Sequence, residues 1–364
     1  MRIVISGYYG FDNSGDDALL MSIIDDLKKG DERVQITVLS KNPTQTREKY
    51  CVNAVNRYNP ILVVKAIASC DLLISGGGTL VQDVTSTKSL LYYLSIIKFA
   101  QMFRKKVMLY ANGIGPLRSF KNIEKTKKIL DEVDLITLRD KKSQEELESI
   151  GITRPKIVLT ADPAFLIEAD DKGKEILETY GVPKDKPLMC VSVRKWKNNP
   201  DDFEDIMARF CDYAADKYGL FTVFLTMQHK NDFAVSSEIK RKMRNKSVLI
   251  GANYPVETIL SLMDEMTVSV GMRLHSLIYS ASQMIPLIGI VYDPKINGFL
   301  EYMGESEYTM IEDVSYEGMC ANLDNVKENY DEICSRLKYH IRTLKGKAKE
   351  NGDLARELLG GGDR

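Results

Sequence analysis

The stretch Ser269-Val270-Gly271-Met272-Arg273-Leu274-His275-Ser276 carries the most concentrated chemistry in the chain. An apolar run ends in a glycine, and an arginine and a histidine follow at once. Residues 268–270 read as the end of a buried strand, and Leu274, Leu277 and Ile278 as the first turns of a helix. Arg273 and His275 then stand where a parallel strand hands over to a helix. Such rims bind ligands, and free backbone N–H groups point outward there. A permanent cation beside an imidazole at this place suits an anionic substrate that must receive a proton.

Further candidates repeat that position. Arg194, with Lys195 and Trp196, follows the apolar run 188–193; Gln228-His229 follows 221–226; Tyr292-Asp293-Pro294-Lys295 follows 287–290. Arg194, His229, Arg273, His275 and Lys295 thus all fall at C-terminal ends of expected strands, which converge on one edge of a parallel sheet. His340, on a basic helical stretch, reads as a surface residue.

The N-terminal half offers two loops. Gly7 to Asp17 follows the first strand, and its three glycines and Asn13 permit tight turns and close backbone approach. It is neither a Walker loop nor a good G-x-G-x-x-G. Asp12, Asp16 and Asp17 favour recognition of hydroxyls, or a general base, over phosphate binding, and Asp16 is also placed to cap the next helix. The second loop, Gly76-Gly77-Gly78, exposes N–H groups and admits a bulky ligand, with Gln82 and Asp83 placed for sugar hydroxyls. Tight strand-to-helix connections are the plainer reading of both. Arg139, beside Asp140 and just past another strand, is either an anion ligand or half of a structural salt bridge.

The elements that must position these residues alternate. Strands are expected at 3–5, 35–39, 72–75, 107–110, 135–138 and 157–159, with helices at 17–28, 89–103, 123–132 and 142–150. After Ala161-Asp162-Pro163 comes a charged stretch, and then a second alternation. Its strands are expected at 188–193, 221–226, 248–250, 267–270 and 287–290, and its helices at 202–217, 234–243, 256–263, 274–283 and 294–303. The pattern predicts an α/β protein of two Rossmann-like domains facing a cleft. The expected limits are 1–166 for an acceptor-side domain, 167–186 for a linker, 187–315 for a donor-side domain and 316–364 for terminal helices.

Composition narrows the function. Fifty basic against 51 acidic residues leave a net charge of −1, so nucleic acid is not an expected partner. Six dispersed cysteines without a C-x-x-C pair and only three histidines point to a reducing compartment and no metal site. The chain opens directly on a strand and no stretch reaches the roughly 18 apolar residues of a membrane span, so a cytoplasmic location is expected. The apolar, aromatic stretch 89–106 ends Arg104-Lys105-Lys106. It is read either as a helix buried against the first sheet or as a surface touching a bilayer.

The motifs G-x-x-G-x-x-N-x-G-D-D-A from Gly7 to Ala18, Gly76-Gly77-Gly78, Ala161-Asp162-Pro163 and Arg273-Leu274-His275 occur in that order. Together they resemble the polysaccharide pyruvyl transferase family, from Ile3 to about Met303, and most of all its branch acting on secondary cell-wall glycan for S-layer anchoring. The resemblance implies a GT-B-like pair of domains and transfer of the enolpyruvyl unit of phosphoenolpyruvate to a sugar, giving a 4,6-ketal and phosphate. In that branch the acceptor is an undecaprenyl-diphosphate-linked disaccharide containing N-acetylmannosamine, which brings peripheral contact with the inner leaflet into view. The family's basic residues map onto Arg273 and His275, and with shorter flanking motifs onto Lys295 and Arg139.

On this basis Arg273, Lys295, Arg139 and Arg194 are expected to bind the donor. His275 is expected to protonate its methylene carbon, Arg273 to assist, and a carboxylate of the N-terminal loop (Asp12, Asp16 or Asp17, with Asp16 in the catalytic set) to orient the sugar hydroxyl or accept its proton. Asn13, Asp12, Gly77, Gly78, Gln82 and Asp83 are expected on the acceptor. No metal or cofactor is required, phosphoenolpyruvate being a substrate. Two rival readings are a GT-B glycosyltransferase using a nucleotide sugar and a two-domain solute-binding protein without chemistry.

Overall fold

A computed structural model describes residues 1–29, 33–251 and 253–360, and only the backbone of His229, Lys230 and Asn231. The chain divides into two compact units: Met1–Leu166 together with the chain from Leu344 onward, and Ile167–Thr343.

In the first unit the strands are β1 (Arg2–Tyr9), β2 (Gln35–Ser40), β3 (Asn53–Asn56), β4 (Leu72–Gly76), β5 (Lys106–Asn112), β6 (Leu135–Leu138) and β7 (Lys156–Leu159). They form one sheet in the order β3-β2-β1-β4-β5-β6-β7, with every pairing parallel. The connecting helices are α1 (Ser14–Lys28), α2 (Pro43–Tyr50), α3 (Pro60–Ser69), α4 (Thr87–Met102), α5 (Phe120–Leu130) and α6 (Lys141–Ser149). Both faces of the sheet are covered, which is why its strands are continuous apolar runs. Val4, Leu73, Leu109 and Ile136 pack on one side with Val63 and Ile67 of α3 and Leu90, Leu94 and Ile97 of α4. Their strand neighbours Ile3, Ile5, Leu72 and Ile74 pack on the other with Leu20, Ile23 and Leu27 of α1 and with Ala355 near the C-terminus.

The second unit opens with α7 (Gly173–Thr179) and carries β8 (Leu188–Ser192), β9 (Phe221–Leu225), β10 (Ser247–Ile250), β11 (Val268–Gly271), β12 (Leu287–Val291) and β13 (Tyr308–Met310). These too are all parallel, in the order β10-β9-β8-β11-β12-β13. Its helices are α8 (Phe203–Tyr218), α9 (His229–Lys242), α10 (Val256–Asp264), α11 (Leu274–Ser282), α12 (Pro294–Met303) and α13 (Tyr316–Glu328). The last helix, α14 (Tyr330–Gly360), begins in this unit and ends in the first.

Several features differ from the sequence expectation. The segment 43–69 holds α2, β3 and α3, which the apolar patterning did not separate. The cap of α1 is Asn13, whose side chain accepts from the Gly15 N–H, and not Asp16, which lies inside the first turn. The stretch read as a linker packs onto α10. There the Gly173 N–H donates to Ser261 Oγ at 2.8 Å and Thr258 Oγ1 donates to Asp170 at 2.6 Å. A Cβ on Gly173 would stand 2.3 Å from the Ser261 carbonyl oxygen, so this packing requires glycine. The terminal helices, expected to be one block, are shared between the two units. Helix α4 buries Leu90, Tyr93, Leu94, Ile96, Ile97 and Ala100, as the first of its two readings requires. Among the described residues no helix is long and apolar enough to cross a membrane.

Candidate active site

Each sheet has one place where the strand order reverses direction: between β1 and β4 in the first unit and between β8 and β11 in the second. Loops leaving the C-terminal ends of strands part there and open a crevice. The two loops singled out in the N-terminal half follow β1 and β4, and Arg194 and Arg273 follow β8 and β11. These sequence-predicted residues therefore flank both reversal points, whereas Arg139, His229 and Lys295 follow β6, β9 and β12.

In the second unit Gly271 pairs with Ser192 on one side and Gly289 on the other, which sets the ends of β8 and β11 level and lets β12 run on to Val291. A Cβ on Gly271 would lie 2.7 Å from Ser276 Oγ and 2.8 Å from a Leu277 methyl, so only glycine lets α11 start this close to the strand. Arg273 is the N-cap residue of α11 and makes no side-chain cap bond, leaving the helix's first amides to face the strand-end edge. His275 follows in the first turn, with its ring 6.0 Å from that of Tyr279.

The three donor-side cations differ in how their charge is balanced. The Arg273 side chain, 11% exposed, donates through Nε at 2.8 Å and Nη2 at 2.5 Å to Asp232. Lys295, in the first turn of α12, lies 3.3 Å from the Asp293 carboxylate that caps that helix. Arg194 has no carboxylate partner among the described residues. It is held by aromatic groups: its guanidinium lies 5.4 Å from the Trp196 ring and 5.3 Å from the Tyr292 ring, and Nη1 donates to Tyr292 Oη at 3.1 Å. Trp196 and Tyr292 pack on one another at 4.6 Å. Cation–π contact holds a guanidinium in place without cancelling its charge. Among the described residues, Arg194 is thus the uncompensated one of these three cations. The side chain of His229 lies outside the described residues.

In the first unit the two loops meet. A Cβ on Gly78 would lie 3.5 Å from Asp16 Oδ1, which places that carboxylate over the glycine loop. Asn13 Nδ2 donates to Asp16 and fixes its orientation. Asp12 accepts from Gln45 Nε2 at 3.0 Å, and Asp17 is paired with Lys49 at 2.8 Å. The glycine loop is itself tied down. Tyr9 Oη donates to the Gly76 carbonyl at 2.6 Å, the Gly77 N–H to Tyr110 O at 3.0 Å, and the Gly113 N–H to Gly78 O at 3.0 Å. Burial, reinforced by Asp16, pushes the Tyr9 hydroxyl well above its ordinary value and keeps it a donor.

Gln82 and Asp83 serve local structure. Gln82 Oε1 accepts from the Thr85 N–H at 2.9 Å. Asp83 accepts from the Arg118 and Ser119 N–H groups, each at 2.9 Å, and from Asn122 Nδ2 at 2.8 Å. Arg139 is buried, donating to Asp162 at 3.1 Å and to Thr79 Oγ1 at 3.0 Å. It is thus half of a structural salt bridge, made mainly to Asp162, with the neighbouring Asp140 that the sequence context offered at 3.6 Å. It lies in the first unit, whereas Arg194, Arg273 and Lys295 lie in the second.

A model of the family described as "Polysaccharide pyruvyl transferase" matches residues 13–294, a span holding the glycine loop after β4, the reversal point between β8 and β11, and Arg194, Arg273 and His275. The chain belongs to that family. Membership makes it a transferase that moves pyruvate onto a glycan. The amylovoran biosynthesis protein AmsJ of Erwinia amylovora is similar at 21% identity, over 92% of this chain and 94% of its own. Among solved structures, a putative UDP-N-acetylglucosamine 2-epimerase of Listeria monocytogenes aligns with a TM-score of 0.71 at 12% identity, over 98% of this chain and 95% of its own. Anabaena HepE, solved with UDP and glucose, aligns with a TM-score of 0.64 at 12% identity, over 99% and 100%. A glycosyltransferase of Rickettsia africae aligns with a TM-score of 0.66 at 13% identity, over 99% and 98%. At these identities the likeness establishes the GT-B-like pair of Rossmann-type units and nothing of substrate.

Sequence reasoning missed two groups of this family member's site. Asp232 pairs with a residue 41 positions away, and nothing local marks it. Arg57, also buried, donates to the Gly7 carbonyl at 2.7 Å and to Tyr93 Oη at 3.3 Å, and stacks 4.5 Å from Tyr92. It braces the N-terminal loop from behind. Tyr8 and Phe11 stack above at 3.9 Å, nearly parallel, presenting an aromatic face at the loop.

Proposed function

We propose that the protein transfers pyruvate from phosphoenolpyruvate to an N-acetylmannosamine residue of an undecaprenyl-diphosphate-linked glycan precursor, forming a 4,6-ketal and releasing phosphate. What carries this reading is the set of basic groups Arg194, Arg273, His275 and Lys295 along one sheet edge, in a chain of a pyruvyl transferase family. A donor bearing a carboxylate and a phosphate needs several cations, and guanidinium groups meet such anions in a planar, two-point fashion.

In the proposed chemistry His275 donates a proton to the methylene carbon of the donor, turning it into a methyl group and leaving an oxocarbenium-like centre at C2. One sugar hydroxyl adds there and loses its proton. The C–O bond to phosphate then breaks, phosphate leaving with the electron pair, and the second hydroxyl closes the ketal. Of the two hydroxyl protons, one balances that spent on the methyl group and the other leaves with phosphate. Arg194, Arg273 and Lys295 stabilise the departing charge, a role that calls for no metal or cofactor. Asp16, over the Gly78 loop, orients a hydroxyl or takes its proton; Asn13, Asp12 and Gly77 complete the acceptor assignment. For a lipid-linked acceptor, contact with the inner leaflet falls to Tyr58, Ile61 and Leu62, exposed around the start of α3, rather than to the buried face of α4.

Incubation with phosphoenolpyruvate and a lipid-linked aminosugar disaccharide tests the reading. Phosphate release matched by the mass gain of a pyruvyl ketal is expected. Nucleotide release from a UDP-sugar with no use of phosphoenolpyruvate would favour the glycosyltransferase alternative.

A further inference from the structure

Arg273 is aimed by a residue that touches no expected substrate position. Asp232, in the first turn of α9, is fully buried. It accepts from the Met227 N–H at 3.1 Å, the Gln228 N–H at 2.8 Å, and Arg273 Nε and Nη2 at 2.8 and 2.5 Å. Gln228 Oε1 accepts from the same Nη2 at 3.2 Å. One edge of the guanidinium is therefore occupied, whereas Nη1 makes no hydrogen bond among the described residues. The carboxylate fixes the orientation of the guanidinium and balances its charge at 2.5 Å.

We infer that Asp232 is a positioning residue: it presents the Nη1 edge of Arg273 and holds the net positive charge of the donor site down, so that phosphate-bearing ligands bind without being trapped. The inference rests on the donor assignment made above. Its physical content is a sign. A carboxylate that only held the fold together would, on removal, loosen Arg273 and weaken anion binding. One that balances charge would, on removal, leave an uncompensated guanidinium in a partly dry site and strengthen it.

The experiment titrates inorganic phosphate and phosphoenolpyruvate into wild type, Asp232→Asn, Arg273→Gln and the double variant, by calorimetry without acceptor. Asp232→Asn is expected to bind phosphate on the order of tenfold more tightly. With acceptor present, its kcat and its KM for the donor are expected to fall together, with stronger inhibition by product phosphate. The tightening is expected to vanish on the Arg273→Gln background, since it acts through that side chain. Unchanged or weaker phosphate binding by a folded Asp232→Asn, or tightening that survives without Arg273, would overturn the inference. Should Asp232→Asn not fold, Asp232→Glu decides. It keeps the charge while shifting the guanidinium, so phosphate affinity stays near wild type as kcat drops; a loss of phosphate affinity instead refutes the charge-balancing role. A wild-type chain that binds neither ligand sinks the donor assignment and this inference with it, whereas binding of both with the wrong response to Asp232→Asn sinks this inference alone.

Discussion

His275→Ala should abolish ketal formation while the protein stays folded and still binds phosphoenolpyruvate, because in the proposed chemistry the ring delivers a proton and the arginines hold the anion. Near-normal turnover would end that role. The cations should not be equivalent. Arg194 stands on aromatic faces with its charge intact, whereas Lys295 shares its charge with Asp293. Arg194→Ala is therefore expected to cost roughly 2–5 kcal/mol in donor affinity and Lys295→Ala clearly less, read by titration calorimetry. Equal losses would show that local pairing does not set the ranking. At this scale Arg273, His275, Arg194 and Lys295 were legible as strand-end groups because each lies within a few residues of the end of an apolar run. Asp232 was not, because its meeting with Arg273 depends on how β9 and β11 flank β8 in the sheet.

At the scale of elements, the glycine loop after β4 separates packing from recognition. Gly77 and Gly78 both have positive φ, +63° and +72°. A Cβ on Gly77 would meet Leu19 side-chain carbons at 2.8 Å, whereas at Gly78 the nearest atom is Asp16 Oδ1 at 3.5 Å. Gly78→Ala should thus cost only the left-handed backbone penalty, about 1–2 kcal/mol, and raise the KM for acceptor; Gly77→Ala should cost distinctly more stability. Thermal melts of the two variants check the order.

Asp83 is held below the usual carboxylate range: burial opposes this, but hydrogen bonds from Asn122 and from the Ser119 and Arg118 N–H groups outweigh it. With a depressed folded pKa, its stabilisation is present above the unfolded carboxylate pKa of about 4 and is lost as pH falls through the folded value. The stability gap between wild type and Asp83→Asn should therefore narrow as pH falls below about 4. A gap that is constant across that range would show that the carboxylate charge is not what caps this turn.

The long apolar strands were readable from the sequence. β3 (Asn53–Asn56) and β13 (Tyr308–Met310) were not, since edge strands of four and three residues carry too few apolar positions to show a period. Helix α3 escaped because its exposed side is apolar as well, with Ile61 76% exposed.

At the scale of the whole molecule, the end of the chain belongs with its beginning. Asn351 is fully buried, accepting from Thr160 Oγ1 at 2.8 Å and donating to Ala161 O at 3.1 Å. Lys106 Nζ donates to the Leu358 carbonyl at 2.6 Å, and Ala355 joins the core cluster of Ile3 and Ile5. A chain terminated after Thr343 should keep a folded second unit and lose the cooperative melting of the first, which differential scanning calorimetry would resolve as the loss or marked lowering of one transition. The two alternations of strand and helix made the two cores legible. That the last helix closes the first core was hidden, because an amphipathic stripe tells that a face is buried without naming what covers it.

That closure has a consequence for biosynthesis. A ribosome adds about 5–20 residues per second and domains ordinarily fold as they emerge. Here the strands of the first sheet are made well before the segment around Ala355 that completes the cover of one of their faces. Until that segment emerges, the part of this face that α1 leaves open stays accessible to chaperones, and to the wrong neighbours on a crowded polysome.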